Sequence, residues 1–129
     1  MVKVKFTAMS VLPNMSTMSN MIAREFDLDA TQVLQTMTSR EALGSTAIAE
    51  HVTMPHVELA DISEQGLFLI NSENESALVL IIDSHKQNDD IITLLSNLLV
   101  MDHLKRLRKI KSQQAFEEFI KEVMMHAIR

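Results

Sequence analysis

Ala77-Leu78-Val79-Leu80-Ile81-Ile82 is apolar at every position, and no other stretch constrains the fold as strongly. A strand with one wet face alternates apolar and polar residues. An unbroken apolar strand needs cover on both faces, the usual state of a central strand in a sheet with parallel pairs. Just upstream, Gly66-Leu67-Phe68-Leu69-Ile70 is a second short apolar run bounded by turn residues and reads as another buried strand. Asn71 to Ser76, between the two, is a turn or loop by composition.

Such a sheet needs helices on both sides, and the sequence provides candidates. Ile91, Leu94, Leu95, Leu98 and Leu99 form an i, i+3, i+4, i+7, i+8 stripe, which predicts a helix behind the cap-rich polar segment Asp83 to Asp90. Leu104, Leu107 and Ile110 predict a short helical turn, with Lys105, Arg106, Arg108 and Lys109 outside. Ser112 is placed to cap a last helix carrying Phe116, Phe119, Ile120, Val123 and Ala127 on one face. Near the start, Pro13-Asn14 precedes Met15, Met18, Ile22 and Phe26 at helical spacing. Asp27 to Asp29 is a connector, and a shorter helix at about Thr31 to Thr38 puts Val33, Leu34 and Met37 on one side. Val2, Val4 and Phe6 alternate with Lys3 and Lys5, the mark of a half-exposed strand. Val57 to Gln65, polar and acidic, reads as a loop. Alternating strands and helices of this kind predict a three-layer α/β architecture with at least part of the sheet parallel. A chain of 129 residues is expected to form one domain, 1–129.

Several function classes drop out. The chain has no Cys, so disulfides and thiolate chemistry are excluded, and no pair of histidines has local metal-site spacing. No metal or cofactor is expected. The longest apolar runs, Ala77 to Ile82 and Leu98 to Met101, fall far short of the ~20 residues that span a bilayer. The alternating N-terminus does not resemble a signal peptide, so a cytoplasmic chain without membrane insertion is expected. A net charge of −5 and the absence of Trp and Tyr argue against nucleic-acid binding. The one basic run, Lys105 to Lys111, reads as a solvated helix face. Of ten methionines, Met15, Met18 and Met37 fall on apolar stripes, whereas Met54, beside His56, suits an adaptable docking surface. His103 and His126 sit beside charged helix faces and read as exposed.

Chemistry concentrates between Ser39 and His56, in Ser-Arg-Glu-Ala-Leu-Gly-Ser-Thr-Ala-Ile-Ala-Glu-His-Val-Thr-Met-Pro-His. A histidine that carries a phosphoryl group needs an unprotonated ring nitrogen, which an imidazole with a pKa of about 6.5 offers at neutral pH. It also needs a neighbour that holds the other nitrogen as N–H, and a cation or donors for the phosphoryl oxygens. Pro55 constrains the backbone entering His56, and Ile48, Val52 and Met54 alternate with polar residues, predicting an extended approach. Arg40 offers a guanidinium suited to phosphate geometry, Thr46 a hydroxyl, and Glu50 an acid that orients or neutralises a nearby donor. His51 reads as a solvent-facing strand residue or a second imidazole at the pocket. His85 reads as a loop residue, or as a pocket residue if its loop turns inward.

The pattern Arg-Glu-x-x-x-Ser-Thr-x-x-x-Glu-x-x-x-x-Pro-His, followed by an apolar strand and amphipathic helices, resembles the enzyme IIA domain of the mannitol/fructose class. That class belongs to the bacterial sugar phosphotransferase system, and its relatives include the nitrogen-regulatory IIA protein. The resemblance implies a mixed, mostly parallel sheet with helices on both faces. It also implies that His56 takes a phosphoryl group from the phosphocarrier HPr and hands it to a IIB domain. Arg40 matches the family's active-site arginine, Thr46 the hydroxyl of the motif, and Glu50 an acid near the histidine in mannitol-type members. Asn88 stands where the family usually has a second active-site histidine, with His85 three residues earlier. His51 replaces the small residue usual five positions before the active histidine, and the segment from His56 to Ala77 is shorter than usual. A regulatory domain whose phosphorylation controls an interaction is the alternative the resemblance leaves open.

Overall fold

The computed structural model describes residues 2–127. The side chains of Met101, His126 and Ala127 lie outside the described residues, and with them the places expected for His126 and Ala127. Strands are β1 (Val2–Ala8), β2 (Ala47–Ala49), β3 (Val52–Thr53), β4 (His56–Leu59), β5 (Gln65–Asn71) and β6 (Ser76–Asp83). Helices are α1 (Met15–Phe26), α2 (Ala30–Glu41), α3 (Asp89–Leu98), α4 (Met101–Leu107) and α5 (Gln113–Ala127).

β6 is the centre, as its composition demands, and every one of its positions is buried. β5 pairs with it antiparallel through the Ser72–Glu75 turn, and β1 lies parallel on the far side of β5. β3 and β4 share the other edge of β6, both parallel to it, and β2 pairs antiparallel with β3. The sheet is thus mixed, with parallel pairs in the majority, and its order is β1-β5-β6-β3-β2 with β4 beside β6.

Alternation along β6 divides the core. Leu78, Leu80 and Ile82 pack with Leu67, Leu69 and the apolar stripes of α3, α4 and α5. Ala77, Val79 and Ile81 pack with Phe68, Ile70 and the stripes of α1 and α2. Burying a side chain such as Leu78 contributes about 1.5–3 kcal/mol, so an apolar residue at each position of β6 is repaid on whichever face it lands. α1 is capped by Asn14, which accepts from the Thr17 N–H at 2.8 Å, and α2 by Asp29, which accepts from Gln32 N–H at 3.0 Å. Ser112 accepts from Ala115 N–H at 3.0 Å at the start of α5.

Some sequence expectations need correcting. Val57 to Gln65 is not a loop: its first residues belong to β4 and Gln65 opens β5. β4 is short and half exposed, so its polar residues mask a strand that long-range pairing with β6 creates. α2 runs on to Glu41; Ser39, Arg40 and Glu41 are polar, so no apolar period marks its last turn in the sequence. The approach to His56 is a tight hairpin of β2 and β3, and His51 lies in its turn with φ 63°, a left-handed backbone, instead of in a strand. Met54 is buried in the α3–α5 core and is not a docking surface. His103 is half-buried, its Nδ1 2.9 Å from the Asn97 carbonyl and its ring edge-on to Phe119. In the basic run, Arg106 pairs with Glu122 (2.6 Å) and Arg108 donates to Ser76 Oγ (3.0 Å), so part of that face is structural.

Candidate functional site

The chain enters His56 along an interrupted strand. β3 and β4 keep one register against β6, with Thr53 opposite Ala77 and His56 opposite Leu80. Met54-Pro55 separates them because proline has no N–H to give the ladder. The Pro55 carbonyl still accepts from Leu80 N–H at 2.9 Å. His56 therefore starts a strand whose inner edge is held by the most buried element of the fold.

α2 covers the outer side. Thr36 Oγ1 lies 3.2 Å from both the N–H and the carbonyl oxygen of Glu58, accepting from one and donating to the other. This hydroxyl satisfies backbone groups that an edge strand otherwise leaves open. Thr36, Ser39, Arg40 and Leu43 then recur at helical spacing and, with His56 and Glu58, line a cavity of about 220 Å³.

The α2–β2 turn sets the arginine. Gly44 has φ 148°, a backbone that side-chain-bearing residues rarely adopt. The turn it makes brings its carbonyl to 3.2 Å from Arg40 Nη1, which donates to it. The buried Thr46 hydroxyl donates to Glu41 Oε1 at 2.6 Å, and Met54 N–H donates to the Thr46 carbonyl at 2.9 Å. Thr46 thus ties the end of α2 to the strand that leads into His56, but it does not line the cavity.

The remaining expected residues are placed elsewhere. Glu50 and His51 pair with each other at the β2–β3 turn, Oε1 to Nε2 3.1 Å, and His51 Nδ1 is 3.2 Å from Glu75. The Glu50 side chain is 88% exposed, and neither residue lines the His56 cavity. Asp83 ends β6 by accepting from the N–H groups of His85 (2.8 Å) and Lys86 (3.1 Å), which fold the next loop back on itself. His85 is exposed there. Asn88 caps α3, accepting from Asp90 N–H at 2.8 Å, and lines a separate polar hollow with Gln65 and Asp83. Glu58, Thr36 and Leu43 are neighbours of His56 that the sequence did not announce. Glu58 was legible only if β4 had been recognised, since positions two apart on a strand share a face.

The electrostatics suit a neutral imidazole. Burial, then the positive charge of Arg40, hold His56 below its ordinary 6.5, while Glu58 and Glu41 pull it partly back. Since the charged form is the one disfavoured, the neutral ring is the majority form at pH 6.5 and above. An NMR titration of its ring C–H protons is expected to have a midpoint below 6.5; a midpoint above 6.5 contradicts this site. An uncharged ring nitrogen beside a fixed guanidinium can attack an electrophilic phosphorus while the cation meets its oxygens.

A sequence model of the family described as "Phosphoenolpyruvate-dependent sugar phosphotransferase system, EIIA 2" matches residues 5–123. Among solved structures, the nitrogen regulatory protein IIA-Ntr from Neisseria meningitidis superposes with a TM-score of 0.69 at 17% identity, covering 91% of this chain and 92% of that one. IIA mannitol from Escherichia coli superposes with a TM-score of 0.59 at 18% identity, covering 91% and 94%. At these identities the likeness concerns the fold. No curated protein sequence matches the chain significantly. No helix among the described residues is long and apolar enough to cross a membrane.

Proposed function

The chain belongs to the EIIA 2 family of the phosphoenolpyruvate-dependent sugar phosphotransferase system, and on that footing we propose that His56 is its phosphoryl acceptor. The observation that carries this reading is the cavity in which His56 and Arg40 meet. In the proposed reaction a lone pair of the His56 ring attacks phosphorus of phospho-HPr. The new N–P bond forms as the donor's N–P bond breaks, and the donor imidazole recovers its electron pair. Arg40 stabilises charge on the phosphoryl oxygens. Phospho-His56 then gives the group to the nucleophile of a IIB domain in the cytoplasm. Leu43, 84% exposed at the cavity mouth, supplies apolar contact to whichever partner docks. Thr46 and Glu41 act by holding the α2 end against β3. Glu50 and His51 fix the hairpin turn.

The test is reconstitution with phosphoenolpyruvate, enzyme I and HPr. The chain is expected to gain one acid-labile phosphoryl group. Arg40→Gln is expected to acquire it about a hundredfold more slowly, the usual cost of losing a positioned charge in transfer chemistry. A chain that stays unlabelled, or an Arg40→Gln variant labelled at the full rate, overturns the reading.

A regulatory role, in which phosphorylation of His56 switches an interaction, is favoured by one observation. Asn88 is committed to capping α3, and among the described residues no second imidazole lines the cavity. Rapid passage of label from His56 to a IIB domain supports the transport role; label that is held while a binding affinity changes supports the regulatory one.

A further inference from the structure

His56 and Glu58 are alternate residues of β4 and so project to the same side of the strand. Glu58 Oε1 lies 3.9 Å from His56 Nδ1. The backbone under Glu58 is held at both its N–H and its carbonyl by Thr36 Oγ1, while its side chain is 48% exposed. A hydrogen bond to Nδ1 needs a closer approach than this 3.9 Å, and a half-exposed side chain on a fixed backbone is placed to make it by rotation about its outer bonds. The other charges facing His56 come from α2: Arg40, which repels a proton from the ring, and Glu41, whose Oε1 already accepts from the Thr46 hydroxyl at 2.6 Å. From β6, the residue opposite His56 is the apolar Leu80.

We propose that Glu58 is a positioning residue that accepts the Nδ1–H of His56 and thereby makes Nε2 the attacking atom. With the proton kept on Nδ1, the lone pair lies on Nε2. As the Nε2–P bond forms and the ring becomes cationic, the carboxylate stabilises the charge without taking the proton, as an acid behind a histidine does in hydrolytic triads. When Nε2 releases the phosphoryl group to the next carrier, the same Nδ1–H tautomer is restored for another cycle. The assignment deepens the phosphoryl-carrier reading and rests on it for its catalytic meaning, but the tautomer exists in the free protein.

The experiment is therefore nitrogen-15 NMR of histidine-labelled free protein, comparing wild type, Glu58→Gln and Glu58→Ala, with His51, His85 and His103 as controls of fold. In wild type the neutral His56 ring is expected as the Nδ1–H tautomer. In Glu58→Ala it is expected to move to Nε2–H, the form free imidazole side chains favour. In Glu58→Gln the amide oxygen still accepts, so the Nδ1–H tautomer is retained. Both variants lose a negative charge that favours the protonated ring, so their titration midpoints are expected to fall below that of wild type. A wild-type ring carrying its proton on Nε2, or a Glu58→Ala ring with unchanged tautomer, overturns the proposal. With phospho-HPr at pH 8, labelling is expected to slow about tenfold in Glu58→Ala and to recover largely in Glu58→Gln, a modest share of general acid–base-type contributions. The NMR result needs no phosphoryl donor. A wild type that shows the expected tautomer yet takes no label refutes the carrier reading alone. Normal labelling with the wrong tautomer refutes only the role of Glu58.

Discussion

A His56→Ala chain, offered phosphoenolpyruvate, enzyme I and HPr, is expected to take up no acid-labile label under conditions that label the wild type to completion. Covalent transfer has no partial substitute for its nucleophile, so the expected loss is at least about a thousandfold and at the detection limit. The substitution is mild for the fold. The His56 side chain keeps 21% of its exposure, no buried polar side-chain atom among the described residues lacks a partner, and β4 is held by backbone pairing to β6. A circular dichroism melt close to wild type therefore accompanies the loss. Undiminished labelling would remove His56 from the reaction and redirect attention to His51 and His85. Those two stand at the β2–β3 turn and in the loop after β6, away from the cavity that Arg40 shares.

The largest structural effect is expected from a single methyl group far from that cavity. Gly66 lies opposite Lys3 in the parallel β1–β5 ladder. A Cβ at this position would sit 1.8 Å from the Lys3 carbonyl oxygen and 2.7 Å and 2.9 Å from its carbonyl carbon and its nitrogen. These are backbone atoms, which cannot swing aside as a side chain can. In Gly66→Ala, β1 must separate from β5. β1 is tied on one face to α5, where Gln113 accepts from Phe6 N–H at 2.7 Å and donates to the Val4 carbonyl at 2.8 Å. On the other face Lys5 pairs with Glu25 at 3.3 Å and Lys3 sits 5.0 Å from the centre of the Phe26 ring. Displacing the strand disturbs both layers, so the expected loss is about 3 kcal/mol or more, at the upper end of overpacking effects. Urea unfolding measures it through the midpoint. Gly44→Ala is the comparison: nothing lies within 4 Å of the added carbon, and only its strained φ costs, roughly 1–3 kcal/mol. A Gly66→Ala midpoint equal to wild type would mean that β1 does not approach β5 this closely.

The two glycines also show where legibility ends. Gly44 answers a local need, the turn after α2, whereas Gly66 reads in sequence only as the start of a buried strand and its need comes from a strand sixty-odd residues away, which no local pattern contains. The same holds at the site. Arg40 and His56 were singled out by residue chemistry and by the family resemblance, and both line one cavity. Glu58 was passed over because Val57 to Gln65 has a loop's composition, and a four-residue edge strand is created by its partner. Glu50 was placed near the histidine by the family resemblance. The left-handed turn at His51 instead pairs it with that residue, and the hairpin points the pair toward Glu75.

What the sequence determined alone is what period and burial record. The unbroken apolar β6 required cover on both faces, and the amphipathic α1, α3 and α5 supplied it. These are local statements, since each residue's apolar or polar character reports the layer it faces. Tertiary structure decided the company His56 keeps: Arg40 from the end of α2, Glu58 from its own strand, and Thr36 closing the strand's open edge. Those choices depend on which segments pair and on the twist of one turn. Such contacts join residues distant in the chain, and side chains carry no mark of their partner until the backbone brings the two together.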